Sequence, residues 1–198
     1  MKSLPLGYSD FPRLRREQGI YVDKTSLIYD LINNGSFYFL SRPRRFGKTL
    51  LLSAFDSLFK HGLRDFKGLE IEKLWRENKT YKVIRLDFTA CSGFGNPEEF
   101  KNMFAALLKR SCFISGLQLP HLDPDLGIEN VLDQFEVAVN ALDDELIVLL
   151  IDEYDYPLNV CLDEPVLFNK VSAELANFYS CLKRLSGHFK FLFIKKAP

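Results

Sequence analysis

The sequence has few of the residues that indicate a secreted, metal-binding or membrane protein. Its four cysteines form no C-x-x-C pair, which argues against a cysteine-based zinc or redox motif. No segment approaches the roughly 20 apolar residues needed to cross a bilayer, and the N-terminus lacks the apolar core of a signal peptide. The three histidines are scattered without metal-like spacing: His61, His121 and His188. We therefore expect buried free thiols and a cytoplasmic protein.

Net charge is also absent, since 26 Lys and Arg residues balance 26 Asp and Glu residues. A neutral chain has no overall field that attracts nucleic acid or an anionic membrane, so neither is expected as a partner. The hydrophobic fraction of 47% is ordinary for a globular protein. At 198 residues the chain is long enough for one well-buried domain, and we expect a single domain over residues 1–198.

What the sequence does contain is a Gly-Lys-Thr motif between an expected strand and an expected helix. Residues 42–49 read Arg-Pro-Arg-Arg-Phe-Gly-Lys-Thr, after an apolar run at 37–40 and before a helix-like stretch at 50–55. In a phosphate loop (Walker A motif) of this kind, backbone N–H groups and the helix dipole favour phosphate, the lysine reaches the outer phosphates, and the hydroxyl holds Mg²⁺. A nucleoside triphosphate is the expected ligand, with Thr49 as a magnesium ligand and Lys48 also catalytic. The expected nucleotide-binding residues are Arg44, Arg45, Phe46, Gly47, Lys48, Thr49 and Leu50.

The loop departs from the pattern G-x-x-x-x-G-K-[ST] at its first position. Arg42 stands where the pattern has the glycine that lets the loop turn tightly and approach its ligand. The turn must then be built differently, for example with Pro43 fixing its shape. An incidental lysine at a helix start, within a solvated basic turn, remains the alternative.

A second motif lies at the end of another apolar run. Residues 146–151 are continuously apolar, which suits a strand buried on both faces, and Asp152 and Glu153 follow. Open α/β sheets bind ligands at the carboxyl ends of their strands. As a Walker B motif, Asp152 would hold Mg²⁺ through its water shell, and catalytic Glu153 would orient or deprotonate the attacking water. The alternative is a buried strand followed by an acidic turn.

Strands separated by helices predict an α/β fold of three layers, a mainly parallel sheet flanked by helices. The strand at 82–88 has mixed alternation, which predicts a place at or near a sheet edge. Residues 1–20, and the stretch after the acidic pair through 165, are expected to be irregular. The other expected strands are 36–41, 146–151 and 189–194, and the expected helices are 23–32, 50–60, 97–112, 129–142 and 166–185.

The whole chain resembles the bacterial AAA-ATPase-like family, whose phosphate loop commonly reads R-P-R-R-F-G-K-[ST]. Besides residues 42–49, the resemblance rests on the segments at 4–7, 10–11, 21–25, 85–88 and 150–155. It makes Arg42 a family trait. It implies a P-loop ATPase core of the additional-strand type (ASCE/AAA-like), with ATP and Mg²⁺ as ligands.

The resemblance also implies parts that this chain does not contain. Relatives often carry a C-terminal nuclease-like domain of the PD-(D/E)XK type, and their last strand is usually followed by a segment with Thr and Gly that senses the γ-phosphate. Here residues 195–198 read Lys-Lys-Ala-Pro. We therefore expect a truncated portion whose sheet lacks its last strand, and which binds ATP with weak or no hydrolysis alone. The alternatives are a regulatory or interaction module that works with a separate nuclease-like effector, and a non-hydrolysing remnant; a homo-oligomer is left open.

Overall fold

The described sheet consists of four parallel strands. The computed structural model describes residues 7–43, 46–120 and 128–196. In these ranges the strands are β1 (Phe37–Leu40), β2 (Lys82–Asp87), β3 (Ile147–Asp152) and β4 (Phe189–Lys195). They lie in the order β1-β4-β3-β2, and every pairing is parallel. The α/β class with a parallel sheet is as the sequence predicts.

The two strands with the clearest sequence patterns occupy the places expected for them. All six residues of β3 are buried, as the unbroken apolar run predicts for a strand covered on both faces. Strand β2 lies at one edge of the sheet and pairs only with β3 among the described strands. The mixed alternation of its side chains therefore indicated its position correctly.

Helices cover both faces of this sheet. The predicted helices appear with ends shifted by a few residues, because helix ends are the least certain feature of any assignment. The described helices are α1 (Phe11–Arg16), α2 (Thr25–Asn34), α3 (Lys48–His61), α4 (Ile71–Leu74), α5 (Pro97–Ser115), α6 (Ile128–Asn140), α7 (Tyr156–Val160) and α8 (Pro165–Arg184).

Alternate residues of the central strand point into two separate apolar cores. Val148 and Leu150 pack on the side of α1 to α4, whereas Leu149 and Ile151 pack on the side of α5, α6 and α8. This alternation follows from the two-residue period of a strand. The arrangement gives three layers, with the sheet in the middle. All four cysteines are free and buried, as expected, and burial raises the pKa of the Cys112 thiol to about 12.

Two predicted irregular segments contain short helices. Within residues 1–20, helix α1 begins after Asp10, whose side chain accepts a hydrogen bond from the Arg13 backbone N–H, and has a proline in its first turn. It buries Phe11 and Leu14, which decides its conformation. Helix α7 begins at Tyr156, three residues after Glu153. No helix within the described ranges is both long enough and apolar enough to cross a membrane.

Candidate functional site

Parallel pairing places the carboxyl ends of all four described strands side by side at the same end of the sheet. Leu40 at the end of β1 pairs with Lys195 at the end of β4. Ile151, just before the acidic pair, pairs with Ile194, and Asp152 pairs with Asp87 of β2. The end of β4 therefore lies between the strand that precedes the predicted phosphate loop and the strand that ends at Asp152.

The helix after β1 starts at a glycine in the left-handed conformation. Gly47 has φ +71° and forms the N-cap of α3, and the Leu51 N–H donates to its carbonyl oxygen at 2.9 Å. A Cβ at Gly47 would meet none of the described atoms within 4 Å beyond its chain neighbours, so the backbone conformation, and not space, favours glycine here. Among the described residues no side chain caps this helix end. The first N–H groups of α3 therefore keep the capacity to bind an anion.

The side chain of Lys48 points towards the backbone of the residues that precede it in the sequence. Lys48 is buried, with 7% of its surface exposed. Its Nζ donates hydrogen bonds to the backbone carbonyl oxygens of Arg42 and, at 3.1 Å, of Pro43. Two carbonyl acceptors therefore hold the ammonium beside the start of α3.

The remaining loop residues named from the sequence have mixed positions. Arg44 and Arg45, predicted to contact phosphate, lie outside the described residues. Phe46 is exposed, and Leu50 is half-buried against the core on the α1–α4 side. Nothing in these positions tests their predicted contact with a nucleotide.

A buried ammonium joins the two predicted motifs. Lys195 Nζ lies 2.5 Å from Asp152 Oδ1 and 2.8 Å from Glu153 Oε1, and it donates to Thr49 Oγ1 at 3.0 Å. The side chains of Lys195 and Asp152 are each 3% exposed, whereas that of Glu153 is 23% exposed. The structure thus brings Thr49, Asp152 and Glu153 to one point, and Lys195 lies at that point.

Burial and neighbouring charges shift the pKa values of Lys195 and Asp152. Burial would lower the pKa of Lys195, but hydrogen bonds to Asp152 and Glu153 outweigh that effect and raise the pKa above its usual value. Burial raises the pKa of Asp152, although the neighbouring ammonium counteracts part of this effect. A second cation is farther away, with the Arg85 guanidinium 3.9 Å from Asp152 Oδ2. Lys195 is therefore the cation that neutralises this acidic pair.

The backbone turns sharply directly after Asp152. Glu153 has φ +52°, a conformation that a residue with a Cβ adopts at a cost. The next residue, Tyr154, donates its backbone N–H to the Lys195 carbonyl oxygen at 3.4 Å. Such left-handed residues are enriched at functional sites, and here the turn directs the Glu153 carboxylate towards the Lys195 ammonium.

The predicted magnesium ligands converge, but the ammonium lies between them. Thr49 and Asp152 supply the oxygen atoms that Mg²⁺ prefers, and Mg²⁺ needs such oxygens at about 2.0–2.1 Å. The nearest oxygen of each is already within 3.0 Å of Lys195 Nζ. In the described ranges no group of three or more His, Cys, Asp or Glu side chains forms a metal site. Mg²⁺ does not fit between Thr49 and Asp152 while Lys195 holds this position.

Sequence reasoning did not identify Lys195 as a site residue. The sequence offered one usable signal, a lysine that ends an apolar strand at the edge where α/β sheets bind ligands. The strand order was needed as well, because only the placement of β4 beside both β1 and β3 brings residue 195 to residue 49.

Comparisons with known proteins bear on the family of the chain. The model of a family described as "Predicted AAA-ATPase" matches residues 5–195. A protein of Azotobacter chroococcum mcd 1, described as an uncharacterized protein in the vnfD 5' region, is 31% identical over 191 residues. That alignment covers 96% of this chain and 36% of the relative, so the chain spans about a third of the relative's length. No solved structure shows a significant match.

Proposed function

Since the chain belongs to the predicted AAA-ATPase family, we propose that it is a P-loop domain that binds ATP at the N-terminus of α3. Its hydrolysis of the bond between the β- and γ-phosphates is slow or absent without further components. One observation supports this function above the others. Thr49 of the loop and Asp152 and Glu153 of the acidic pair meet around the same Lys195 ammonium.

The strand order supports the finer fold assignment. Strand β4 lies between β1, which precedes the loop, and β3, which precedes the acidic pair. An inserted strand at this position is what the additional-strand class of P-loop proteins implies. The loop and the acidic pair then lie on neighbouring sides of one crevice, at the carboxyl ends of the strands, where open α/β sheets bind ligands.

Different groups at the site would have different roles in binding and hydrolysis. The N–H groups at the start of α3 would bind phosphate oxygens. Lys48 would leave the Arg42 and Pro43 carbonyl oxygens and pair with the phosphates, since a phosphate offers the ammonium a negatively charged acceptor. Glu153 would orient water for in-line attack. The preference for ATP over GTP rests on the family.

We expect Lys48→Ala to abolish the stabilisation of the chain by ATP. A ligand at about 100 times its dissociation constant adds about 2.7 kcal/mol to the free energy of unfolding, which raises the Tm of a chain of this size by about 5–10 °C. Thermal melts of wild type and variant, with and without ATP, measure this difference.

The matched control for that experiment is Lys60→Ala, at the other end of the same helix. Lys60 forms a half-buried ion pair with Asp56, with side chains 29% and 24% exposed, so its loss should lower the Tm equally with and without ATP. The Lys60 variant should keep the full shift with ATP. Two results would contradict ATP binding at this loop. One is a rise in Tm with ATP that persists in Lys48→Ala, and the other is a wild type that melts cooperatively but whose Tm does not change with ATP.

A second candidate function is a nucleotide-binding switch that does not hydrolyse ATP. The observation in its favour is the ion pair between Glu153 Oε1 and Lys195 Nζ at 2.8 Å. A carboxylate oxygen that faces an ammonium is not free to contact an attacking water, so this contact opposes a role as general base. Such a switch would act on a separate effector, and a nuclease-like protein is the partner that the family resemblance suggests.

Turnover by Glu153→Gln separates the two functions. If the chain is an ATPase, we expect kcat to fall at least about 100-fold while ATP affinity is kept, because a positioned base contributes about 10²–10⁴-fold. The control is Glu145→Gln. Glu145 forms an ion pair with Lys82 where β2 and β3 begin, at the end of the sheet opposite Glu153. Equal inactivity of wild type and Glu153→Gln, with ATP bound by both, would exclude hydrolysis by the chain alone and favour the switch.

A further inference from the structure

The Lys195 ammonium lies among three side chains that carry oxygen atoms. It donates a hydrogen bond to Thr49 and forms ion pairs with Asp152 and Glu153. The side chain is 3% exposed, so the environment offers little water to replace a lost partner. The ammonium is thus surrounded by these three groups and shielded from water.

The backbone fixes this ammonium in its position. Lys195 is the last residue of β4 and pairs with Leu40 of β1, and Lys196 N–H donates to the Leu40 carbonyl oxygen at 3.0 Å. On its other side, the Lys195 carbonyl oxygen accepts from the Tyr154 N–H at 3.4 Å. Because neighbours on both sides hold the chain, the lysine stem starts from a defined place between the loop and the acidic pair.

A divalent cation at this place would have to displace the ammonium. Mg²⁺ would need the Thr49 hydroxyl and the Asp152 carboxylate, by direct contact or through its waters, and both groups already bind Lys195. The displaced ammonium would then lose both carboxylates in a buried setting, which is unfavourable. The charge that Mg²⁺ would bring near Asp152 and Glu153 is already supplied in part by the lysine.

From this geometry we infer that the Lys195 ammonium takes the place of Mg²⁺, so that the chain binds the nucleoside triphosphate without a divalent cation. The inference rests on the proposed function and deepens it by naming the form of the ligand, which is free ATP in place of Mg·ATP. Lys195 neutralises the acidic pair that would otherwise repel the phosphates. Lys48 and the N-terminus of α3 supply the attraction.

The first test uses the wild-type chain alone. ATP affinity is measured by calorimetry in buffer with excess MgCl2 and in buffer with EDTA. Because excess Mg²⁺ converts almost all ATP to Mg·ATP, we expect ATP to bind more than about tenfold more weakly in MgCl2 than in EDTA, a free-energy difference above about 1.4 kcal/mol. An affinity in MgCl2 that equals or exceeds the affinity in EDTA would overturn the inference.

A second test needs no nucleotide and uses Mn²⁺ as the probe, with free Mn²⁺ measured by electron paramagnetic resonance. Wild type and Asp152→Asn should bind the same amount of Mn²⁺, because wild type has no Mn²⁺ site at Asp152. Lys195→Met keeps most of the length of the side chain without its charge, frees the Thr49 and Asp152 oxygens, and should bind one Mn²⁺ per chain. The control Lys190→Met lies on the same strand, where Lys190 pairs with Glu77 away from the site, and should behave as wild type.

The two tests distinguish failure of this inference from failure of the proposed function. A wild type that binds no ATP in either buffer contradicts the proposed function, and the Mn²⁺ measurement still decides the role of Lys195. One Mn²⁺ bound by wild type and lost in Asp152→Asn overturns the inference even if ATP binds. If Lys195→Met does not fold, the comparison of the two buffers with wild type decides by itself.

Discussion

Phe191→Ala should lower the free energy of unfolding by about 3–5 kcal/mol, the range for truncating a fully buried phenylalanine. Phe191 lies in β4 and has no exposed surface. Its ring lies 4.8 Å from that of Phe55, 5.4 Å from that of Phe59 and 5.7 Å from that of Tyr38, measured between ring centroids. Because these rings come from two strands and a helix, we expect the neighbours to fill the cavity only in part. Denaturant unfolding measures the loss.

Phe37→Ala provides the matched control for that substitution. Phe37 lies on β1 at the sheet edge and is 49% exposed, with its ring 6.1 Å from that of Phe189. Truncating a half-exposed ring removes less buried surface, and we expect a loss of about 1 kcal/mol or less. Equal losses in the two variants would mean that the edge of β1 is covered in solution, or that the core around Phe191 is not packed as described.

The sequence predicted the long elements well, because their patterns persist over many residues. The sequence of β3 is an unbroken apolar run up to Asp152, which suits a strand covered on both faces. Helix α3 combines a glycine N-cap with apolar residues at helical spacing. Together they predicted where Thr49 and Asp152 lie, at a helix start and a strand end.

Short helices escaped prediction because local pattern does not determine them. Helix α1 has six residues, fewer than two helical turns and too few to show a repeating hydrophobic pattern, and three of them are arginines. An isolated helix of that length is unstable in water, so its conformation depends on burying Phe11 and Leu14 against the rest of the fold. The cap at Asp10 and the proline that follows were visible in the sequence, but they had no periodic segment to support them.

The position of Lys195 could not be predicted for a different reason. Its contact with Thr49 joins residues separated by 146 positions. Nothing in the order of elements along the chain shows that the last described strand lies second in the sheet. The sequence therefore predicted an acidic pair near a phosphate loop, whereas the fold adds the cation that lies between them.

Lys195→Met should lower the free energy of unfolding by about 3–5 kcal/mol, the usual cost of removing one partner of a buried ion pair. Asp152 is 3% exposed and would lose its contact at 2.5 Å, with only Arg85 at 3.9 Å remaining. Glu153 is more exposed and regains water, so it should contribute little to the loss. Denaturant unfolding checks this, and Lys190→Met, whose partner Glu77 is 28% exposed, should cost about 1 kcal/mol or less.

A double variant shows whether the loss comes from an unpaired carboxylate or from disturbed packing. Adding Asp152→Asn to Lys195→Met removes the buried charge and keeps the shape of the side chain. Because an uncharged pair of similar volume is often as stable as a buried ion pair, the double variant should recover about 2 kcal/mol or more of the loss. The interaction energy from the complete cycle of single and double variants should then exceed about 1 kcal/mol. If the losses of the two single variants simply add, Lys195 and Asp152 do not interact, and the ammonium does not lie where the structure places it.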